Sequence, residues 1–270
     1  MSAVITDRNP PSEAGLIRVP NPRIVQAVSD NFDEKLPANL GFSIYESPRA
    51  LKDYQTYTST GAYGDLVQKE IQISELAADK LIENLSERRD ISTKTPIHVV
   101  SLGMGSVEQF KFKEGIYINK LEEAGYDVQI HGVDNSPAVI EQFNKEYGPE
   151  AGKLDNFLTW DSSKGRFCGK EDGLQIVLIK GFSLGNMSVN GNGQRPPIGQ
   201  ANRNFASLRF GCNKGDYLDY SAHTKMESGV YDGAGDLYLT ALEEGLKWAP
   251  EIKRAFTYSC LLYTSDAADE

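Results

Sequence analysis

The chain has 270 residues, enough for one large or two small domains, and 40% of them are hydrophobic. Its 28 Lys and Arg against 38 Asp and Glu give a formal charge of −10, which argues against nucleic acid and anionic membranes as partners. The longest uncharged apolar-rich stretch, Ile97 to Val107, is shorter than the about 18 residues that a membrane span requires. Three widely spaced cysteines without a C-x-x-C pair indicate neither a disulfide framework nor a zinc site, so we expect a metal-free protein of the reducing cytoplasm.

The N-terminal third is predicted to be helical after a short arm. Residues 1–22 hold four of the twelve prolines and show no apolar periodicity, which indicates a loosely ordered arm. Between Asp65 and Leu85, apolar residues recur at a spacing that fits one or two amphipathic helices better than a strand. Residues 23–95 are therefore predicted to form a helical segment ahead of the main domain.

Strands and helices alternate through residues 96–259. The uncharged, mostly apolar run Ile97–Leu102, with its β-branched residues, predicts a buried parallel strand that ends at a Gly-x-Gly turn. The other predicted elements are, in chain order, a helix at Val107–Ala124, a strand at Val128–Val133, a helix at Ala138–Tyr147, a strand at Leu174–Ile179, a long Gly- and Asn-rich loop at Ser188–Asn204, a strand at Tyr217–Tyr220 and a helix from about Asp236 to Trp248. This order predicts an α/β domain built on a parallel sheet.

A glycine turn followed by a spaced acid indicates a nucleotide-ribose site. In VVSLGMGS, Val99–Ser106, Gly103 and Gly105 let the backbone approach a ligand where a Cβ would collide. Asp134 follows Gly105 by 29 positions, at the end of the next predicted strand, where its carboxylate can accept both ribose hydroxyls. The dinucleotide fingerprint expects a third glycine where Glu108 stands. An acid there repels a pyrophosphate but suits a cationic sulfonium, which favours S-adenosylmethionine over NAD; the alternative is that the glycines only form a tight strand-to-helix turn.

Four segments in order resemble the class I S-adenosylmethionine-dependent methyltransferases, and the likeness runs from about Tyr45 to Ser259. VVSLGMGS is similar to the glycine loop of that family, and VDNSPAVIEQ to its ribose-binding strand end. KGFSLGNM, Lys180–Met187, and GVYDGAGDLYLTALEE, Gly229–Glu244, are similar to segments of the histidine-specific Nα-methyltransferases of the ergothioneine pathway and their fungal prenyl-tryptophan relatives. The resemblance implies a Rossmann-like sheet with helices on both faces and an N-terminal helical segment that covers the substrate.

For the cofactor, the resemblance implies four residues. Gly103, Gly105 and Asp134 would hold S-adenosylmethionine, and Asp161 in LTWDSS would reach the adenine amino group. The alternative for Asp161 is a local role, capping the turn that follows it.

For the substrate, the resemblance implies Asn186 and Tyr231 as the catalytic pair. Asn186 would bind the α-amino group, where an amide oxygen orients a neutral amine, and Tyr231 would donate to the carboxylate. Tyr54 and Tyr57 would contact the ligand from the N-terminal segment. The alternatives are turn chemistry for Asn186 and ordinary packing for the tyrosines.

The implied activity is N-methylation of the α-amino group of an amino acid, with histidine as the first candidate. Lys180 and Phe182 stand where the family has smaller or apolar residues, so another amine or a small natural product is an alternative substrate. A non-catalytic cofactor-binding module and an NAD-dependent oxidoreductase are further alternatives. In each case we expect a small molecule as partner.

Residues 260–270, CLLYTSDAADE, match a conceptual translation of a transposase sequencing adapter. We therefore expect the native sequence to stop near Ser259 and the natural protein to continue beyond it. The final strands of the family, with the residues that recognise an imidazole, would then be absent, and the sheet would be truncated at its C-terminal side.

Overall fold

The computed structural model describes residues 48–180 and 206–221. The predicted arm at residues 1–22, the predicted loop at Ser188–Asn204 and the predicted helix from Asp236 to Trp248 lie outside these residues.

Five parallel strands form one sheet within the described residues. In chain order they are β1 (Ile97–Leu102), β2 (Val128–Asp134), β3 (Gly152–Leu154), β4 (Leu174–Ile179) and β5 (Tyr217–Tyr220). Their order across the sheet is β3-β2-β1-β4-β5, with Val99 beside Ile130 on one side and Ile176 on the other. The chain therefore leaves β1 in one direction and returns to its other side at β4. The carboxyl ends of β1 and β4 mark the topological switch point, where open α/β sheets bind ligands.

Four α-helices accompany the strands in the described residues: α1 (Pro48–Ser59), α2 (Gly61–Glu87), α3 (Val107–Glu123) and α4 (Pro137–Tyr147). A short 3-10 helix spans Phe157–Thr159. The hydroxyl of Ser106 accepts from Gln109 N and caps α3, and that of Ser136 accepts from Val139 N and caps α4. These bonds satisfy backbone donors that have no partner inside the helix, which explains why both helices begin where they do.

The sheet is covered on both faces. Helices α2, α3 and α4 pack on one face, and their core with the sheet includes Ala78, Leu81, Leu85, Ile97, Val99, Phe110, Leu121, Phe143, Ile176 and Leu178. The opposite face packs against the segment after β3 and a helical turn at residues 206–210, in a cluster that includes Val100, Leu102, Val133, Trp160, Phe167, Val177, Ile179 and Leu208. Every residue of β1 and β4 is buried, which accounts for their predominantly apolar sequences, IHVVSL and LQIVLI.

A buried ion pair, Arg166 with Asp216, joins the segment after β3 to the start of β5. Its nitrogen and oxygen lie 2.8 Å apart. Arg166 also donates to the carbonyls of residues 170 and 172, at 3.0 and 2.8 Å. Asp216 in turn accepts from the backbone N–H groups of Gln175 and Asn213, at 3.0 and 2.7 Å. We call Arg166, Asp216 and the groups bonded to them the amino-end cluster. It lies at the N-terminal edge of the sheet, away from the switch point.

The predicted α/β class is confirmed, and the predicted strands at Ile97–Leu102, Leu174–Ile179 and Tyr217–Tyr220 have the bounds found in the structure. Strand β2 runs one residue further than predicted, and α2 extends beyond Asp65 and Leu85 at both ends. The sequence assigned no residues to β3 and no separate helix to α1. Within the described ranges, no helix combines the length and apolar character needed to cross a bilayer.

Candidate functional site

The glycine turn joins β1 to α3 at the switch point. Gly103 and Gly105 have φ values of 68° and 72°, in the left-handed region that favours glycine over every other residue. The N–H of Gly103 donates to the carbonyl of Val133 at 2.9 Å, which ties the turn to the end of β2. The turn therefore places the N-terminus of α3, with its outward N–H groups, at the carboxyl edge of the sheet.

Asp134 is the last residue of β2, directly beside that turn. Its side chain is buried, and its Oδ1 accepts from the backbone N–H of Ser136 at 2.8 Å. Its own carbonyl accepts from the N–H of Asp155 at 3.0 Å, which fixes the backbone on the β3 side. The structure thus brings together the two features that the sequence assigned to one site, the glycine turn and the carboxylate.

Asp161 lies in an exposed turn after the 3-10 helix. Its Oδ1 accepts from the N–H of Ser163 at 2.8 Å and also from the Ser163 hydroxyl. Both hydrogen bonds stabilise the ionised form and lower the pKa of Asp161. Trp160 before it is buried and donates from Nε1 to the carbonyl of Gly165 at 2.8 Å. The contacts shown are those of the local turn role, and contact with an adenine remains a prediction.

Helix α1 lies beside the start of α3. The side-chain amide of Gln55 donates to the carboxylate of Glu108, in the first turn of α3. Tyr54 lies close enough to Lys113 of α3 to interact with it electrostatically. Tyr57 instead packs on Tyr63 of α2, with ring centroids 4.9 Å apart. Of the two tyrosines predicted to contact the ligand, Tyr54 thus lies near α3 and Tyr57 packs on α2, and contact of either with a ligand stays a prediction.

Asn186 and Tyr231 lie outside the described residues. Of the segment KGFSLGNM, only Lys180 is described, directly after β4.

Gln109 provides a test of whether a cofactor fits here. It stands in the first turn of α3, where its backbone N–H donates to Ser106. Its side-chain Nε2 is buried and has no hydrogen-bond partner among the described residues. A buried amide donor without a partner costs about 1–3 kcal/mol, so such a group calls for an acceptor. A ligand with a carboxylate or hydroxyl near the glycine turn would supply one, and the amino-acid end of S-adenosylmethionine has this chemistry.

Beneath the carboxyl ends of β1, β4 and β5, on the α2–α3 side of the sheet, the structure holds a group of charged and polar side chains. We call it the charge cluster; its members are Glu70, Ser101, Lys113, Glu114, Tyr117, Lys180, Asp219 and Ser221. No sequence motif had marked these residues as a group.

One part of the charge cluster is an ion pair between helices. Lys113 Nζ of α3 lies 3.0 Å from Glu70 Oε2 of α2, and each side chain is only 5% exposed. The hydroxyl of Ser221, after β5, donates to the other Glu70 oxygen, Oε1. Glu70 is therefore bonded on both carboxylate oxygens.

A second part connects α3 to β4 and β5. Lys180 Nζ donates to the Tyr117 hydroxyl at 2.9 Å and lies 3.1 Å from Asp219 Oδ2. The Tyr117 hydroxyl donates to that same Asp219 oxygen. Burial and the neighbouring carboxylate both raise the pKa of Tyr117 well above its usual range, so the phenol stays neutral. Lys180, unusual in its motif, thus has a carboxylate partner at the next-to-last residue of β5.

Glu114 stands beside these two parts. Its Oε1 accepts from the hydroxyl of Ser101 at 2.8 Å, while its buried Oε2 has no partner among the described residues. Burial raises the pKa of Glu114 to about 7, and the opposing effects of Lys113 and of the Ser101 bond are smaller. A carboxyl with this pKa exchanges its proton near neutral pH, which is the range useful for acid–base chemistry.

A signal for the charge cluster is present in the sequence. On the predicted α3 helix, Lys113 and Glu114 interrupt the stripe formed by Phe110, Tyr117 and Leu121. Charged residues at these spacings lie on the apolar face of the helix. The position of Lys113 and Glu114 within this apolar stripe, rather than any motif, indicates that they are buried.

Two histidines also meet in the sheet. His98 Nδ1 of β1 and His131 Nε2 of β2 lie 3.0 Å apart, although their sequence spacing indicated no joint role. Burial lowers both pKa values, that of His131 to about 4, so both rings are neutral at pH 7. Over residues 48–180 and 206–221, no three His, Cys, Asp or Glu side chains lie close enough together to hold a metal ion.

Comparison of the sequence with protein-family models and with curated proteins finds no match in either case.

Proposed function

We propose that this chain is an S-adenosylmethionine-dependent N-methyltransferase acting on the α-amino group of an amino acid, with histidine as the first candidate substrate. The observation that carries the proposal is the pairing of the glycine turn with Asp134. Gly103 and Gly105 adopt left-handed backbone conformations at the end of β1, and the buried Asp134 carboxylate lies beside them at the end of β2. Together they provide, at the switch point, a turn without Cβ atoms that a ligand can approach closely and a carboxylate that can accept from ribose hydroxyls.

The start of α3 favours a cofactor that is not a pyrophosphate. Glu108 in its first turn places a carboxylate where a dinucleotide would bring its own negative charge. Gln109, next to it, offers a buried amide donor. When bound, S-adenosylmethionine supplies a methyl group on a cationic sulfonium, together with a carboxylate that can accept from such a donor. These two side chains therefore support S-adenosylmethionine over NAD.

The chain's own part in methyl transfer is to hold a neutral amine in line and to exclude water. We assign the amine contact to Asn186, whose amide oxygen accepts without adding a charge that would favour the ammonium form. We assign the substrate carboxylate to Tyr231. Helix α1, tied to α3 through Gln55 and Glu108, would shield the site from solvent. The assignments of Asn186 and Tyr231 rest on the sequence resemblance alone.

A thermal melt tests the cofactor assignment. A ligand that binds only the folded chain raises the midpoint, by the equivalent of about 2.7 kcal/mol at one hundred times its dissociation constant. We expect S-adenosylhomocysteine to raise the midpoint of the chain, and Asp134→Ala to reduce that rise. Asp127→Ala is the matched control, because Asp127 is exposed and directly precedes the opposite end of the same strand. An unchanged midpoint in the wild type, or an equal rise in both variants, contradicts the proposal.

Adding histidine to the S-adenosylhomocysteine complex tests the substrate. A second rise supports an amino-acid substrate, while a rise with another amine alone redirects the proposal to that amine. Cofactor binding with no methyl transfer to any amine tested would indicate the non-catalytic module instead.

A further inference from the structure

Glu114 differs from the other acids of the charge cluster because it has no cation in contact with it among the described residues. Lys113 pairs with Glu70 at 3.0 Å, and Lys180 with Asp219 at 3.1 Å. Glu114 has only the hydroxyl of Ser101 on Oε1, and its buried Oε2 has no partner in residues 48–180 and 206–221. An ionised carboxylate in this position would be buried without a cation beside it, which is energetically unfavourable.

The position of Glu114 relates it to the switch point. Ser101, its hydrogen-bond donor, is the next-to-last residue of β1 and is followed by Leu102 and the glycine turn. Across the sheet Ser101 lies beside Gly132 of β2 and Leu178 of β4. A charge in the crevice above β1 and β4 therefore acts on Glu114 through the protein interior, where screening is weaker than in water.

The charged and titratable groups around Glu114 set its response. From α2, Glu70 disfavours the ionised carboxylate. On α3 itself, Lys113 favours it, and Tyr117 is neutral, as is Tyr147 of α4. From β1, the Ser101 hydroxyl also favours the ionised form, and burial opposes it most strongly. These effects leave the pKa of Glu114 at about 7, so a single added positive charge is enough to change its protonation.

We propose that Glu114 is a proton-exchange residue, ionised while a cationic ligand occupies the crevice at the ends of β1 and β4 and partly protonated at neutral pH while none is there. The inference rests on the proposed function, because the cation in question is the sulfonium of S-adenosylmethionine.

The same exchange accounts for the proton that methyl transfer releases. The substrate enters as an ammonium and loses one N–H proton, and its nitrogen lone pair forms the new N–C bond. The S–C bond breaks, its electron pair stays on sulfur, and the sulfonium becomes a neutral thioether. The released proton passes to solvent, and the carboxylate of Glu114 takes up one proton as the sulfonium charge disappears. One ammonium, one sulfonium and one carboxylate thus become one methylammonium, one thioether and one carboxylic acid, and the net charge is unchanged.

Calorimetric titration tests this exchange without any turnover. S-adenosylmethionine and S-adenosylhomocysteine are titrated into the full chain at pH 7, in two buffers of different ionisation enthalpy, so that the heat reports the protons released. Wild type and Glu114→Gln are compared, because the variant subtracts the contribution of the ligands' own groups. Glu122→Gln, an exposed position on the same helix, is the matched control.

With S-adenosylmethionine, wild type is expected to release about half a proton more than Glu114→Gln, since a group with this pKa is about half protonated at pH 7. With S-adenosylhomocysteine the two proteins should release equal numbers, and Glu122→Gln should match wild type throughout. Equal release by wild type and Glu114→Gln with S-adenosylmethionine overturns the inference alone. If neither ligand binds wild type, both the proposed function and this inference are contradicted.

A second variant covers the case in which Glu114→Gln does not fold. Ser101→Ala removes the hydrogen bond that favours the ionised carboxylate and so raises the pKa of Glu114 further. Proton release with S-adenosylmethionine, followed from pH 6 to 9, should then be centred at a higher pH than in wild type. An unshifted profile overturns the inference.

Discussion

Two buried ionic clusters lie at opposite edges of the same sheet, and they differ in how fully they are bonded. In the amino-end cluster, the two terminal nitrogens of Arg166 make four hydrogen bonds, and only its Nε has no partner among the described residues. Asp216 opposite accepts on both oxygens. In the charge cluster at the carboxyl edge, Glu114 retains a buried oxygen with no partner in the described part of the chain.

We interpret the amino-end cluster as structural and the charge cluster as functional. A buried ion pair whose charged ends bond to each other and to the backbone fixes one arrangement of the chain, and the amino-end cluster does this for β4, β5 and the segment after β3. A buried carboxylate oxygen without a donor is unfavourable when ionised, and we attribute its presence next to the switch point to a ligand charge or a proton that it serves. The four predictions below test this division, in order of the size of the expected effect.

The largest effect is expected from breaking the amino-end cluster. Asp216→Ala leaves the Arg166 guanidinium buried without its carboxylate, which should cost about 3–5 kcal/mol of unfolding free energy. Urea unfolding measures the loss, with Asp127→Ala as the control at an exposed position. A loss below about 1 kcal/mol would show that this cluster is not structural.

Glu114→Gln should change how the unfolding free energy depends on pH between pH 5 and 9. The folded-state pKa of Glu114, about 7, lies above its ordinary value of 4.5. Its contribution to stability is therefore complete below pH 4.5 and is lost as the pH rises through 7. Between pH 5 and 9 the wild type should lose up to about 3 kcal/mol relative to Glu114→Gln. Parallel pH profiles of the two proteins would contradict the raised pKa.

His131 should contribute to the decrease in unfolding free energy at acid pH. Its folded-state pKa of about 4 lies below the ordinary 6.5, chiefly because of burial and also because of His98. Its contribution to stability is present above pH 6.5 and is lost as the pH falls through 4. His131→Gln should lessen this decrease by about 1–2 kcal/mol, a value reduced for partial exposure of the ring. Chemical unfolding at pH 7, 5.5 and 4.5 measures it, and an unaltered slope would disprove it.

The smallest effect is expected from Ser101→Ala. It removes one hydrogen bond to Glu114, which is worth about 1 kcal/mol. The loss should be smaller at pH 5 than at pH 8, because the bond favours the ionised carboxylate. Urea unfolding at both values tests this, and a larger loss at pH 5 would mean that the hydroxyl serves another group.

The strands that bury every residue could be predicted from sequence, because burial on both faces selects short apolar-rich runs without alternation, such as Ile97–Leu102. Strand β3 could not: its three residues, Gly152–Leu154, pair with the end of β2 and carry no alternation. Its place follows from α4 returning the chain to the sheet edge, which is a tertiary effect.

The candidate site was predictable only in part. The glycine turn and Asp134 are local to two strand ends, so spacing alone brought them together. Each contact of the charge cluster joins residues in or next to two different elements, and Glu70 lies more than forty positions from Lys113, its partner, in a different helix. Such long-range pairs leave no motif, and only the interruption of the apolar stripe on α3 indicated them.

The central claim, methyl transfer to an amine, is tested most directly by incubating the chain with methyl-labelled S-adenosylmethionine and an equimolar mixture of amino acids, and following the label by mass spectrometry. We predict label on the nitrogen of an amino acid with wild type and Asp127→Ala, and much less with Asp134→Ala. Label on no amine with wild type, or equal labelling by Asp134→Ala, would contradict the account.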